Sequence, residues 1–194
     1  MRRRQFPFAI LLSVALTSFF SAQTKHPGDE LRGTVSDQNR YMNPALGMTI
    51  DLPGEWRMLD MTSETPSDPG CTGPLCGPPN INVVLESKPN YRLYLSGWKL
   101  SAEYLDRKRH PLGWFADIML EGSMGGDLVP VRKHEALQLD RRLAYRLLMA
   151  NKGELTPKVV GYVSEARGYV FLLVCATPTK PEVMQMAVEG MKLQ

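Results

Sequence analysis

The sequence predicts an α+β fold, an antiparallel β-sheet of about five or six strands flanked by helices. Three observations predict it. Apolar residues alternate with polar ones at 48–52 and again at 81–85, the period of a strand with one buried face. The last third of the chain holds apolar runs separated by short turn signals, which pair strands antiparallel. Leu112, Phe115, Ala116 and Met119 fall at i, i+3, i+4 and i+7, the spacing of a helix with one apolar face.

Residues 1–21 have the order of a secretory signal. Arg2, Arg3 and Arg4 open it, an uncharged and mostly apolar stretch runs from Phe6 to Phe20, and the small residues Ser18, Ser21 and Ala22 come next. The apolar core falls short of the about 20 residues that span a bilayer. Cleavage after Ser21, or less favourably after Ala22, is therefore expected, with an uncleaved anchor as the alternative. No cysteine sits at the junction to carry a lipid. Residues 22–40 are polar and read as a mobile lead-in. Residues 41–194 are enough for one domain with its own core.

Within that domain Met48, Ile50 and Leu52 face one side of a strand, Pro53-Gly54 turns the chain, and Trp56 is a large apolar anchor beyond the turn. The segment 62–80 carries Pro66, Pro69, Pro74, Pro78, Pro79 and three glycines, which leaves an irregular loop of a length usually functional or disordered. Residues 81–87 form a second strand, and 91–95 either pair with it or lead into a helix. Leu100, Tyr104 and Leu105 predict that helix over 96–109, ended by Pro111 because the residue before a proline avoids helical backbone. A second helix starts at 112 and closes by Gly122. Strands come next at 128–139, 143–151, 158–165 and 169–176, the last apolar on both faces and so central. Thr179-Lys180-Pro181-Glu182 fits a capping box, and Met184, Ala187, Val188 and Met191 give the final helix its apolar face.

Composition narrows the function classes. The whole chain has 23 basic and 20 acidic residues. Removing 1–21 takes away three arginines and no acid, so the remainder is formally neutral. The basic balance gives no support for a nucleic-acid partner or a polybasic membrane patch. No later apolar segment is long enough to span a membrane once the signal is removed.

The opening of the domain resembles a known family. Tyr41-Met42-Asn43, then Leu46-Gly47-Met48-Thr49-Ile50-Asp51-Leu52-Pro53-Gly54-Glu55-Trp56, is similar to the start of PsbP-like and DcrB-like domains, with an Asn-containing lead, a Gly-Phe-x-Ile-x-x-Pro-x-x-Trp strand and a Trp cap. The order of elements over 41–194 is similar as well. The resemblance implies a PsbP-like α-β-α sandwich of the Mog type, in exported or organelle-lumen proteins that bind other proteins or assist their assembly. It carries no catalytic motif and implies no cofactor. Met48 stands where Phe is common, and the loop at 62–80 is an addition to the pattern.

The chemistry-bearing residues give few combinations. Cys71 and Cys76 share the Pro/Gly loop and read as a structural disulfide in an oxidising compartment, with free thiols and a redox or metal role as alternatives. Cys175 sits in an apolar run and reads as an inert buried thiol. Ser96-Gly97-Trp98-Lys99 matches the nucleophile motif Ser-x-x-Lys but lacks the companion motifs of that enzyme class. His26, His110 and His134 form no metal-ligand spacing. Arg107-Lys108-Arg109-His110 is a basic cluster at an expected helix end, either a solvated terminus or a surface for an anionic partner.

These readings lead to an exported, non-enzymatic binding or assembly-assisting protein of the cell envelope, periplasmic or secreted, whose partner is another envelope protein. The expected partner surface lies at 62–80 and at Arg107, Lys108, Arg109 and His110. Two alternatives remain. One is a metal- or redox-linked periplasmic protein using Cys71 and Cys76, and the other is a small hydrolase built on distant Ser, His and Asp.

Overall fold

A computed structural model describes residues 29–59, 73–75, 78–87, 91–123, 128–154, 156–176 and 181–194. The signal segment 1–21, Cys71, Cys76, the capping Thr179 and most of the loop 62–80 lie outside the described residues.

The expected fold class does not hold. The chain is mostly β, and its strands form two antiparallel sheets rather than one of five or six. The smaller sheet orders β1 (Thr34–Val35), β2 (Arg40–Asn43), β3 (Met48–Asp51) and β12 (Lys192–Leu193). The larger orders β4 (Trp56–Leu59), β5 (Ile81–Ser87), β6 (Tyr91–Lys99), β11 (Tyr169–Ala176), β10 (Val159–Ala166), β9 (Arg142–Asn151) and β7 (Leu128–Pro130), with β8 (Glu135–Leu139) also paired to β9. Among the described residues helix is confined to α1 (Asp29–Arg32), a 3-10 turn (Ala102–Leu105), α2 (Leu112–Ser123) and α3 (Pro181–Glu189). An α-β-α sandwich is therefore not what these residues build.

The largest departure is at the helix expected over 96–109. Leu93, Leu95 and Gly97 alternate inward with period two, and the strand runs on to Lys99. It lies between β5 and β11, with Trp98 opposite Val170 and Gly97 opposite both Ile81 and Phe171. A Cβ at Gly97 would stand 3.2 Å from the Ile81 side chain, so glycine is what lets β5 close on β6 there. Pairing on both edges outweighs the weak helical spacing of Leu100, Tyr104 and Leu105. Only Ala102–Leu105 coils, as one 3-10 turn.

Other boundaries moved for similar reasons. The strand expected over 128–139 breaks at Val131–His134 into β7 and β8, both paired to the same edge of β9. Residues 29–40, read as a lead-in, supply α1, β1 and the first residue of β2. The last helix stops at Glu189, and the chain ends as β12 along β3.

The large sheet carries a core on each face. On one face Val83, Leu85, Leu93, Leu95, Phe171 and Leu173 pack with Tyr41, Met48 and Ile50 of the small sheet and with Val188 and Met191 at the C-terminal end. On the other, Leu112, Phe115, Ala116, Met119 and Leu120 of α2 pack on Leu147, Met149, Val163 and Val170. A fully buried side chain of this size contributes about 1.5–3 kcal/mol, so the apolar run of β11, buried on both sides, is the centre of the molecule. Cys175 lies in it, buried and free, with burial pushing its thiol up to about 12.

Candidate functional site

The segment 101–111 leaves the end of β6, crosses the sheet and starts α2. Asp106 sets its shape. The Asp106 carbonyl accepts the N–H groups of Arg109 at 3.1 Å and His110 at 2.9 Å, and its carboxylate accepts that of Lys108 at 3.0 Å. An aspartate that folds the following backbone onto itself is a common turn device. Pro111 then precedes the first helical residue, Leu112.

This turn splits the basic cluster. Arg107 points inward, and its guanidinium donates to the carbonyls of Tyr104 at 2.7 Å and His110 at 3.1 Å. It also pairs with the carboxylate of Glu165 on β10 and lies over the Phe115 ring, 5.4 Å from its centre. Lys108 and Arg109 remain exposed, Arg109 within 3.7 Å of Asp106. The His110 ring is held between Tyr104 at 4.9 Å and Trp114 at 4.8 Å, and those two aromatics are themselves near-parallel. The four residues predicted together thus have three different surroundings.

Beside Arg107 the sheet and the helix start part to leave a cleft of about 350 Å³, lined by Arg107, Pro111, Leu112, Arg142, Leu143 and Glu165. Leu143 is 49% exposed. The strand start that carries it comes after a two-residue turn, Asp140-Arg141, with positive φ at both positions (44° and 70°). That is the backbone of a tight hairpin whose twist matches the strands it joins. The Asp140 carboxylate accepts the N–H of Leu193 at 2.7 Å, so the C-terminal strand fixes the turn. The Ser164 hydroxyl donates to the Leu143 carbonyl at 2.8 Å.

Two further polar clusters lie away from the cleft. Arg146 reaches Glu135 at 2.7 Å and Glu189 at 3.4 Å, and the buried Tyr162 hydroxyl stands 3.3 Å from the same Glu189 carboxylate, tying α3 to β8, β9 and β10. Burial raises the Tyr162 phenol well above its ordinary range, so it stays a neutral donor. His134 packs edge-on against Tyr145, 4.5 Å between ring centres. Its Nδ1 is buried 3.2 Å from an Asp117 carboxylate oxygen but outside hydrogen-bond geometry.

The structure separates the residues considered for catalysis. Ser96 and Lys99 would share a face of a helix, but on β6 an odd spacing sends them to opposite faces of the sheet. His110 and His134 belong to different clusters. Among the described residues no three His, Cys, Asp or Glu side chains converge. No helix among them is long and apolar enough to cross a membrane.

Sequence reading missed Arg142, Leu143 and Glu165. Glu165 is 58 residues from its partner Arg107, and nothing local marks the pair. Nothing local marks the exposure of Leu143 either, since it alternates with Leu147 and Met149, which are buried under α2.

No family model matches the sequence, and no curated protein matches it. Solved structures do. The class of fold is PsbP-like. The chain superposes on the solution structure of cyanobacterial PsbP (CyanoP) from Synechocystis sp. PCC 6803 with a TM-score of 0.54 and 14% identity, over 84% of this chain and 96% of that one. At that identity the likeness is one of fold. A crystal structure from Bacteroides thetaiotaomicron VPI-5482 matches with a TM-score of 0.39 and 8% identity, over 80% of this chain and 48% of that one, and carries no argument.

Proposed function

We propose that this chain is an exported, non-enzymatic binding or assembly-assisting protein of the cell envelope, acting on another envelope protein. The observation that carries the reading is the division of labour around α2. Arg107 is committed to two carbonyls, a carboxylate and an aromatic ring, while Lys108 and Leu143 beside it face solvent. A rigid frame presenting uncommitted cationic and apolar groups is the anatomy of a recognition surface. The signal-like order of residues 1–21 supports export. The family resemblance of the segment 41–56 and the PsbP-like fold support an accessory role.

Two experiments test this. N-terminal sequencing of the protein recovered from cells is expected to begin at Ala22, and an intact Met1 on protein confined to the cytoplasm would remove the case for export. A photo-crosslinking residue at position 108 is expected to capture one defined envelope protein in intact cells, while the same residue at 152, on the exposed turn after β9, captures nothing comparable. Identical adduct patterns from the two positions would sink the assignment of the surface.

A further inference from the structure

We propose that His134 is a proton-operated clasp, which on protonation pairs with Asp117 and ties α2 to the sheet edge beneath it.

His134 closes the link Val131–His134 between β7 and β8, the two strands that share one edge of β9. Its ring is caught in a seam between that edge and α2. Tyr145 of β9 packs edge-on against it, 4.5 Å between ring centres. Gly113 of α2 borders the same seam, about one helical turn before Asp117. A Cβ at Gly113 would stand 3.3 Å from the Tyr145 hydroxyl and 3.6 Å from His134 Nε2, so the bare glycine lets the helix lie close on both rings. Asp117 meets the other ring nitrogen, its Oδ1 3.2 Å from Nδ1.

That Nδ1 is a buried atom without a hydrogen-bond partner among the described residues. Buried polar atoms in folded chains are nearly always paired, and one that is not has a cost or a use. While the imidazole is neutral, Nδ1 either turns a lone pair toward the carboxylate, which repels it, or carries a proton outside hydrogen-bond geometry. Protonation places a positive charge against the carboxylate, and the same approach becomes attractive. Imidazole ordinarily makes this charge change between about pH 5 and 8.

The surroundings fix the direction of the effect. Asp117 on α2 supplies the carboxylate that faces the ring, and Tyr145 on β9 supplies a ring edge. On the link and β8, Arg132 pairs with Glu135, Glu135 pairs also with Arg146, and Lys133 is exposed. Among the described residues no second carboxylate lies within ion-pair distance of His134. A proton therefore binds more tightly with the seam closed than with α2 lifted away. The contribution is present at the acid end of the histidine range and is lost as pH rises through it. The Asp117 side chain is 57% exposed, so solvent screens the pair and the effect is modest. It acts on the helix that covers Leu147, Met149, Val163 and Val170, so the quantity it sets is how often that second core opens.

The test is a double-mutant cycle on the purified protein, with Asp117→Asn, His134→Gln and the two together, melted at about pH 5.5 and about pH 8. A coupling of about 2 °C in Tm is expected at the lower pH and none at the higher. Native-state hydrogen exchange, corrected for the intrinsic pH dependence of exchange, is expected to show the α2 amides about threefold better protected at the lower pH. In Asp117→Asn that protection is expected to be equal at the two. Should His134→Gln not fold, Asp117→Asn, at a mostly exposed position, still decides the matter by exchange. His110→Gln removes the other histidine among the described residues and is expected to leave the pH dependence in place. Coupling of equal size at both pH values would make the contact ordinary packing and overturn the proposal. So would a pH dependence of α2 protection that survives Asp117→Asn or disappears with His110→Gln.

Discussion

Asn43 donates a hydrogen bond to the hydroxyl of Tyr41 at 3.0 Å, two residues back on the same strand, and both side chains are fully buried. The same amide donates to the Leu31 carbonyl at 2.8 Å, and its oxygen accepts the N–H of Leu46 at 3.1 Å. The Tyr41 hydroxyl donates to the Arg32 carbonyl at 2.8 Å, with burial holding the phenol neutral. Tyr-x-Asn is thus a buried polar clamp that fastens α1 to the β2–β3 turn. Asn43→Ala removes it and leaves the buried Leu46 N–H and the part-buried Leu31 carbonyl without this partner. The expected loss is about 2–4 kcal/mol of unfolding free energy, read from urea titrations. A loss under about 1 kcal/mol would mean that water replaces the amide at no great cost.

Gly47 has φ of +60°, and a Cβ there would sit 2.6 Å from the Gln194 carbonyl oxygen and 2.8 Å from Arg167 Nε. The Gly47 carbonyl also accepts the Gln194 N–H at 2.8 Å. Gly47→Ala is expected to cost more than about 1 kcal/mol and to loosen β12 selectively. Hydrogen exchange is the measurement, with faster exchange at Leu193 and Gln194 and little change in β10 and β11.

Arg107→Lys keeps the charge but gives up the planar fork that serves two carbonyls and a carboxylate at once. It is expected to lower stability by about 1–3 kcal/mol and to change the emission of Trp114, one ring away. Glu165→Gln keeps the shape and is expected to cost less. Equal effects from the two would mean that charge, and not the fork, organises the turn.

Arg57 and then Arg92 hold Glu86 below the ordinary carboxylate range by hydrogen bonding, and Arg146, with Arg132, does the same for Glu135. A depressed folded value stabilises above the unfolded carboxylate range of about 4.3 and loses that contribution as pH falls through the folded value. Melting temperature is therefore expected to fall below about pH 5. Arg146→Met is expected to flatten that fall, because Glu135 then titrates nearer its unfolded value. An unchanged acid profile in the variant would remove Glu135 from the explanation.

Several of these features could be read before folding was considered. Alternation named β3 and β5 and their inward residues, because period two survives in any context that buries one face, and the apolar run on both faces of β11 named it as central. The apolar spacing of α2 named its core face. The glycine-to-tryptophan segment pointed to the PsbP-like fold. The clamp role of Asn43 was not legible, since a lone asparagine looks the same in a loop and in a core. The cleft was not legible either, because its walls come from segments far apart in sequence.

What the sequence determined alone was the set of strands whose own side chains dictate a buried face, and the signal-like order of charge and apolarity at the start. Tertiary structure decided whether 96–99 would be helix or strand, that the strands divide between two sheets, and that Arg107 turns inward while Lys108 does not. The reason is range. Periodicity is written in neighbouring residues, whereas β-pairing and ion pairing depend on partners that only the folded chain brings within reach, here Gly97 with Phe171 and Arg107 with Glu165.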